Sequence, residues 1–237
     1  MTGLAQAIVE WDRASFLAIN HALRCGALDT AMPLVSLLGL GHVQVLLILG
    51  AALLAGAVAG EMDWRRTWPS VRGVLVRRRD WVLPLLAAFA LSGIVSTQIK
   101  ESRAIYRERP WWFYTQRQAR GQFLDVVVAT VPGEYPLKSR GFPSGHTCTT
   151  TAIAASASLV LRRRRRGALV IGGLWLVSVL IAWSRMYLGS HWTLDVLGGA
   201  LIGAVCGLLA AWLAMRWLAR AGAQKPSTPE PDLSGVA

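Results

Sequence analysis

The sequence predicts an all-α protein, a polytopic membrane bundle of five to six transmembrane helices. Hydrophobic residues make up 54% of the 237 residues and charged residues only 16%, whereas about 25% of the residues of an average soluble domain are charged. Four apolar segments are long enough to cross a bilayer, at about residues 43–60, 81–99, 168–183 and 193–215. These observations exclude a disordered chain and argue against an ordinary cytosolic enzyme.

A fifth apolar segment, residues 147–161, is shorter and rich in Thr, Ala and Ser, and its length alone fits either a span or a buried helix. The basic run that follows it, residues 162–166, favours a span. Holding five arginines at bilayer depth would cost roughly 12–18 kcal/mol, at about 2.5–3.5 kcal/mol for each. The run is therefore predicted to be a loop that ends the fifth span.

The distribution of basic residues predicts which loops lie on which side of the membrane. The net charge is +12, and because the basic residues lie between apolar segments, we expect them to contact an anionic membrane surface and not nucleic acid. The positive-inside rule assigns the loop at 65–79, the run at 162–166 and the tail from residue 216 to the cytoplasm. Counting the spans then brings residues 100–146 and 185–192 together on the opposite side.

The N-terminal segment is predicted to lie at the membrane interface. Its larger apolar residues have the spacing of an amphipathic helix: Leu4, Ile8, Trp11 and Phe16. A second short helix is predicted at about residues 28–40, and a sixth span hidden in this segment is the alternative. The chain is thus divided into an interfacial segment 1–42, a transmembrane domain 43–217 and a disordered cytoplasmic tail 218–237.

Two of the four histidines lie on the predicted non-cytoplasmic side, beside small and polar residues. If the last helix begins near His191, then Asp195 is its i,i+4 neighbour, and the carboxylate can hold one imidazole nitrogen and leave the other free. An oriented imidazole of this kind is what a nucleophile or a general base requires. His146 follows Ser144 and Gly145 at a predicted helix N-terminus, where main-chain N–H groups favour an anion.

The segment after the second span, residues 100–110, carries four basic residues on the side where the positive-inside rule predicts few. A membrane-proximal collar of solvated charges is one explanation. An anionic ligand is the other, because a phosphate monoester carries about −1.5 to −2 charge at pH 7. Arginine pairs with phosphate oxygens bidentately, and lysine acts as a point charge.

Together these residues resemble the motifs of the type 2 phosphatidic acid phosphatase (PAP2) superfamily, membrane lipid phosphatases that share a core with vanadium haloperoxidases. The family patterns are K-x6-R-P, P-S-G-H and S-R-x5-H-x3-D. The second and third occur here at family spacing, as Pro143-Ser144-Gly145-His146 and as Ser184-Arg185 with His191 and Asp195. The resemblance covers about residues 28–215 and implies a PAP2/haloperoxidase-like helical core.

The first motif departs from the family pattern. From Lys100 to Arg109-Pro110 there are eight intervening residues and not six, whereas Arg107 has the right spacing but is followed by Glu108. We favour Arg109 as the phosphate ligand, because proline fixes the chain direction after it, and keep Arg107 as the second candidate. A two-residue slip would turn Lys100 by about 200° on a helix, so its orientation is open.

The resemblance implies a phosphohistidine mechanism. His191 attacks phosphorus, Asp195 orients it, and His146 protonates the leaving oxygen and then activates water. The phosphate oxygens are held by the other motif residues: Lys100, Arg109 or Arg107, Ser144, Gly145 and Arg185. The family works without a metal or other cofactor, and the predicted non-cytoplasmic segments lack the dense Asp/Glu/His cluster that two cations would need.

The predicted function is an integral membrane lipid phosphatase, placed in a bacterial inner membrane with its active site on the periplasmic or extracellular side. The expected partners are the bilayer and a lipid that ends in a phosphate or diphosphate, with undecaprenyl diphosphate, phosphatidylglycerophosphate and phosphatidate all compatible. The aromatic run 111–114 begins a long connection to residue 142 and is predicted either to line the path of the lipid chain or to anchor the interface. A lipid-to-lipid phosphotransferase and a non-catalytic lipid-phosphate carrier are the alternative functions.

Overall fold

A computed structural model describes residues 3–63, 65–102, 105–118 and 139–223, and all regular structure in these ranges is helical. A five-residue π-helical turn, Ala18–Ala22, follows the first helix. The α-helices, in chain order, are α1 (Gly3–Leu17), α2 (Gly26–Leu37), α3 (Gly41–Val58), α4 (Thr67–Arg77), α5 (Arg79–Glu101), α6 (Pro110–Gln118), α7 (Gly145–Val160), α8 (Gly167–Tyr187) and α9 (Thr193–Ala223). The predicted all-α class is confirmed.

Four of the described helices are long and apolar enough to cross a membrane: α3, α5, α8 and most of α9. They coincide with the four long apolar segments of the sequence. Apolar side chains on their outer faces, such as Leu54, Leu176 and Leu201, are exposed, as expected of surfaces that contact lipid tails. The predicted fifth span, α7, has 16 residues and is buried over most of its length, so its crossing of the bilayer stays a prediction.

Helix α7 lies at the centre of the bundle, packed against α5, α8 and α9. Its Thr, Ala and Ser side chains are small, which lets neighbouring backbones approach closely. Three glycines at intervals of four on α9 face main-chain oxygens of α7 or of the residue before it so closely that an added Cβ at any of them would collide: Gly199, Gly203 and Gly207. This close packing holds the N-terminus of α7 beside the first turn of α9.

The basic loops gather at one end of the bundle. Arg164, between α7 and α8, pairs with Asp80 at the start of α5. Lys100 lies at the other end of α5. Near it, the described residues of 100–146 meet the turn at 185–192: the amide of Trp111 donates to the main-chain oxygen of Gly189 at 3.0 Å.

The N-terminal segment packs onto the membrane helices. Helix α1 contacts α9, and the π-helical turn and α2 contact α8. Of the four apolar residues that predicted an amphipathic helix, Leu4, Ile8 and Trp11 are exposed, whereas Phe16 is fully buried. Residues 1–42 are thus in contact with the predicted transmembrane domain, with an outer apolar stripe left exposed.

Two further boundaries differ from the sequence prediction. Helix α9 continues to Ala223, so residues 218–223, predicted as the start of a disordered tail, are helical because the apolar pattern carries the helix onward; the rest of the tail, 224–237, lies outside the described residues. The aromatic run opens α6 and is not part of an extended connection. The remainder of that connection, 119–138, also lies outside the described residues.

Candidate active site

His191 lies two residues before α9 and is 2% exposed. Its Nδ1 is 2.8 Å from the carbonyl oxygen of Gly141 and 3.7 Å from Oδ2 of Asp195. Because a carbonyl oxygen can only accept, Nδ1 carries the proton and donates it to Gly141, which leaves Nε2 as the basic nitrogen. The imidazole therefore has a fixed tautomer with a lone pair on Nε2.

This arrangement differs from the predicted His–Asp hydrogen bond. The i,i+4 argument assumed that the helix begins near His191, but α9 begins at Thr193, so the imidazole is not on the helical face that carries Asp195. The carboxylate instead accepts from the amide of Trp192 at 2.9 Å and from Nη1 of Arg107 at 2.7 Å. It remains close enough to the imidazole to favour a positive charge there.

Positive side chains surround the His191 ring. Burial, together with the charges of Arg109, Arg185 and Lys100, lowers the pKa of His191 well below its usual range. A lowered pKa keeps the imidazole neutral at neutral pH, which is the form that can attack phosphorus. The cations that suppress protonation are also the groups that would attract a phosphate.

The two candidate arginines of the first motif have different surroundings. Arg107 forms ion pairs with Asp195 and with Asp12 of α1. Arg109 is buried, and its positive charge is one of those that lower the pKa of His191. Arg109 thus lies with the cations around the imidazole, whereas two carboxylates hold Arg107.

Lys100 reaches from the last turn of α5 to the N-terminus of α7. Its Nζ is 3.3 Å from the position that a Cβ on Gly145 would occupy, so a glycine at this position allows the ammonium group to approach the helix end. No described side chain caps this N-terminus, where main-chain N–H groups favour an anion. The hydroxyl of Ser144 lies 3.0 Å from that of Thr147. A cavity of about 240 Å³ opens beside Lys100.

We expect Gly145→Ala to raise KM for a lipid phosphate by about twofold or more with a smaller effect on kcat, because the added methyl group would displace the Lys100 ammonium by a few tenths of an ångström and weaken, without removing, a charge-assisted contact worth about 1.5 kcal/mol or more. Steady-state kinetics of phosphate release measure both constants. Gly173→Ala is the matched control, because a Cβ there would meet nothing within 4 Å. An unchanged KM in Gly145→Ala would show that phosphate binding does not depend on the close approach of Lys100 to Gly145.

The N-terminal segment contacts two further predicted site residues, Arg185 and His146. Arg185 is 1% exposed, and its Nη1 donates to the hydroxyl of Ser36 on α2 at 2.6 Å. Gly39 lies against the His146 imidazole so closely that a Cβ at Gly39 would be 2.9 Å from Cγ of the ring. Both contacts come from the predicted interfacial segment.

Four residues at the site were missing from the sequence prediction: Asp12, Ser36, Gly39 and Gly141. Ser36 and Gly39 have no local pattern that distinguishes them from other small residues. Asp12 does carry a signal, because an acid on the apolar helix of a membrane protein is expensive to bury and marks a functional candidate. It is 2% exposed.

The aromatic residues near His191 form a packed cluster. Trp192 lies 5.9 Å from Tyr114 of α6 and 5.2 Å from Phe16 of α1, measured between ring centroids. Its indole N–H donates to the carbonyl oxygen of Glu108 at 2.7 Å. The run at 111–114 therefore contributes at least Tyr114 to the wall that holds the turn before α9.

In the part of the chain that the structure describes, no group of three or more His, Cys, Asp or Glu side chains is arranged to hold a metal ion.

The fold and the site together define a class of protein: a membrane helical bundle with two histidines and buried cations gathered at the N-terminus of its central helix. The family model of the PAP2 superfamily matches residues 81–219, more than half of the chain. This chain belongs to the PAP2 superfamily, which confirms the resemblance seen in the motifs.

Two curated proteins share part of this sequence. The chain is 27% identical over 155 residues to the lipid A 4'-phosphatase of Porphyromonas gingivalis, covering 64% of this chain and 60% of the relative. Over 45 residues it is 56% identical to YbjG of Escherichia coli K12, which carries the provisional name undecaprenyl-diphosphatase, covering 18% of this chain and 22% of that protein. The chain thus matches less than two thirds of the length of either relative.

Two solved structures share the fold. The crystal structure of Aquifex aeolicus LpxE matches with a TM-score of 0.57 at 26% identity, covering 83% of this chain and 92% of that one. A transmembrane PAP2-type phosphatidylglycerolphosphate phosphatase from Bacillus subtilis matches with a TM-score of 0.55 at 23% identity, covering 90% of this chain and 87% of that one. At its lower identity the second match shows the fold alone. This chain is a multi-pass membrane protein.

Proposed function

We propose that this protein hydrolyses a membrane lipid phosphate or diphosphate through a phosphohistidine intermediate, at the periplasmic or extracellular face of a bacterial inner membrane. The observation that carries the proposal is the His191 imidazole, whose Nδ1 donates to Gly141 and whose basic Nε2 is left for attack. The positive charges of Arg109, Arg185 and Lys100 lower the pKa of this imidazole. A binding protein would need the cations but not a nucleophile with a fixed tautomer.

In the proposed first step, the Nε2 lone pair of His191 forms a bond to phosphorus while the bond from phosphorus to the lipid oxygen breaks. His146 gives a proton to that oxygen. In the second step His146 takes a proton from water, the water oxygen bonds to phosphorus, and the N–P bond breaks to release inorganic phosphate. Positioning and charge stabilisation supply most of the catalysis in phosphoryl transfer, which is the role proposed for Lys100, Arg109 and Arg185.

An apolar cavity of about 380 Å³ between α3, α5, α7 and α8 supports the proposal that the substrate is a lipid. Its lining includes Leu38, Gln44 and Thr150, and the hydroxyl of Thr150 donates to the main-chain oxygen of His146 at 2.8 Å. An acyl or prenyl chain in this cavity would therefore start near the proposed site. The names of the relatives point to phosphorylated lipids as a class.

The test is a phosphate-release panel on the purified protein in detergent, with undecaprenyl diphosphate, phosphatidylglycerophosphate, phosphatidate and lipid A as substrates. We expect inorganic phosphate from at least one of them. Transfer of the phosphoryl group to an added acceptor lipid, with no inorganic phosphate, would identify a phosphotransferase. Binding without either product would identify a carrier, and both results contradict hydrolysis.

Chelation with EDTA is expected to change the rate of phosphate release less than about twofold, because the proposed charge stabilisation comes from side-chain cations and not from a bound metal. The measurement compares initial rates before and after EDTA treatment and after Mg²⁺ is added back. A Mg²⁺-dependent phosphatase in the same detergent is the control. Loss of activity with EDTA and its recovery with Mg²⁺ would point to metal-assisted hydrolysis.

A further inference from the structure

We infer that Asp12 of α1 is a positioning residue for the reaction: it holds Arg107, and Arg107 holds the carboxylate of Asp195 beside His191. The inference deepens the proposed function and rests on it. Asp12 lies in the segment that the sequence assigns to the membrane interface, outside the three motifs, yet it is 2% exposed. A carboxylate is costly to bury unless it is paired, so its partners are informative.

Both oxygens of Asp12 have partners. Oδ1 accepts from the amide of Leu194 at 2.8 Å, and Oδ2 pairs with Nη2 of Arg107. Leu194 is the second residue of α9, so Asp12 supplies a negative charge to the start of that helix, where the helix dipole favours one. Helix α1 thereby contacts the turn that carries His191.

Arg107 lies between two carboxylates. Its Nη2 pairs with Asp12 and its Nη1 donates to Oδ1 of Asp195 at 2.7 Å. Its guanidinium also lies over the ring of Trp192, 5.7 Å from the ring centroid. Ion pairs therefore connect Asp12 through Arg107 to Asp195. Oδ2 of Asp195 is in turn 3.7 Å from Nδ1 of His191.

The position of Asp195 matters because the imidazole gains positive charge as it attacks phosphorus. A carboxylate held at a fixed distance stabilises this charge, and misplacement by about 1 Å can reduce a rate about 100-fold. With Asp12 removed, the Arg107 guanidinium is held on one side only, so its contact with Asp195 is less fixed, although the amide of Trp192 still donates to that carboxylate. The loss is then expected in kcat, because Asp12 and Asp195 carry negative charge and are not proposed to bind the phosphate.

Asp12→Asn separates the two contacts of the side chain. The amide oxygen can still accept from Leu194, but the amide nitrogen is a donor and cannot accept from Arg107. Helix α1 stays attached to α9, because Ser15 donates to the hydroxyl of Thr193 at 2.8 Å. The variant therefore removes the ion pair between residue 12 and Arg107 and leaves the packing of α1 in place.

We expect Asp12→Asn to lower kcat for phosphate release about 10- to 100-fold with KM changed less than twofold. Glu10→Gln is the matched control, since it makes the same charge change at an exposed position of α1 and should retain wild-type kinetics. If Asp12 acts through Arg107, the double variant Asp12→Asn/Arg107→Gln is no slower than Arg107→Gln alone. If Asp12 only supported the packing of α1, the decreases in kcat of the two single variants would instead multiply in the double variant.

Binding of inorganic orthovanadate gives a second measurement that needs no turnover. Vanadate imitates the five-coordinate geometry of phosphoryl transfer, in which Nε2 of His191 would be one ligand, so we expect Asp12→Asn to weaken its binding about tenfold or more. Wild-type kcat and wild-type vanadate affinity in Asp12→Asn would overturn the inference while the proposed function stands. Wild-type protein that releases no phosphate would overturn the proposed hydrolysis and with it the role of Asp12 in that reaction, and tighter vanadate binding by wild type than by Asp12→Asn would then show only that Asp12 positions the groups around His191.

Discussion

His191→Ala is expected to abolish phosphate release from every lipid phosphate, with kcat lowered by at least about 10³-fold. The substitution removes the atom that is proposed to bond to phosphorus, and no other imidazole has the same fixed tautomer at this position: Nδ1 of His191 donates to Gly141 at 2.8 Å. Lys100, Arg109 and Arg185 would still attract the phosphate, so KM should change far less than kcat. Phosphate release from the best lipid of the panel measures both constants.

His42→Ala is the control for this variant. His42 lies exposed at the start of α3, so its replacement removes a histidine without touching the site, and wild-type kinetics are expected. Size-exclusion chromatography in detergent verifies that both variants remain folded. Turnover by folded His191→Ala at a tenth of the wild-type rate or faster would contradict the proposed nucleophile.

The fold and two of the motifs could be predicted because their signals are local. Apolar segments of sufficient length mark α3, α5, α8 and α9 without any knowledge of their neighbours. Charge distribution then orders the loops, which brings Lys100 and His191 to one end of the bundle. The glycines at intervals of four on α9 are also a local signal of close helix packing, but the sequence analysis did not use it, and the structure identifies α7 as the partner.

The details of the site depend on distant residues and could not be predicted from spacing. The difference in surroundings between Arg107 and Arg109 depends on Asp12, which is 95 residues from Arg107 in sequence. The expected His191–Asp195 hydrogen bond is replaced by one to Gly141, 50 residues away. In both cases the deciding partner lies on another element, where the periodicity of the motif carries no information.

His146→Ala is expected to lower kcat for a lipid monophosphate by about 10²- to 10⁴-fold, the range of general acid–base catalysis. The leaving group is then a lipid alkoxide, a strong base that needs a proton as the P–O bond breaks. A diphosphate lipid leaves as a phosphate, a much weaker base, so the same variant should lose less activity with it. Steady-state rates with both lipids measure the difference, and His21→Ala, which changes an exposed histidine, is the control.

An aryl phosphate separates the two steps assigned to His146. Nitrophenolate leaves without a proton, so His146→Ala should still form the phosphohistidine on His191, but water activation in the second step is slowed. We therefore expect a burst of nitrophenolate equal to the enzyme concentration, followed by slow turnover, and an acid-labile phosphate retained on the protein. Equal losses with the aryl phosphate, the diphosphate lipid and the monophosphate lipid, with no burst, would show that His146 supports the packing around Gly39 and transfers no proton, because only a proton-transfer role depends on the basicity of the leaving group.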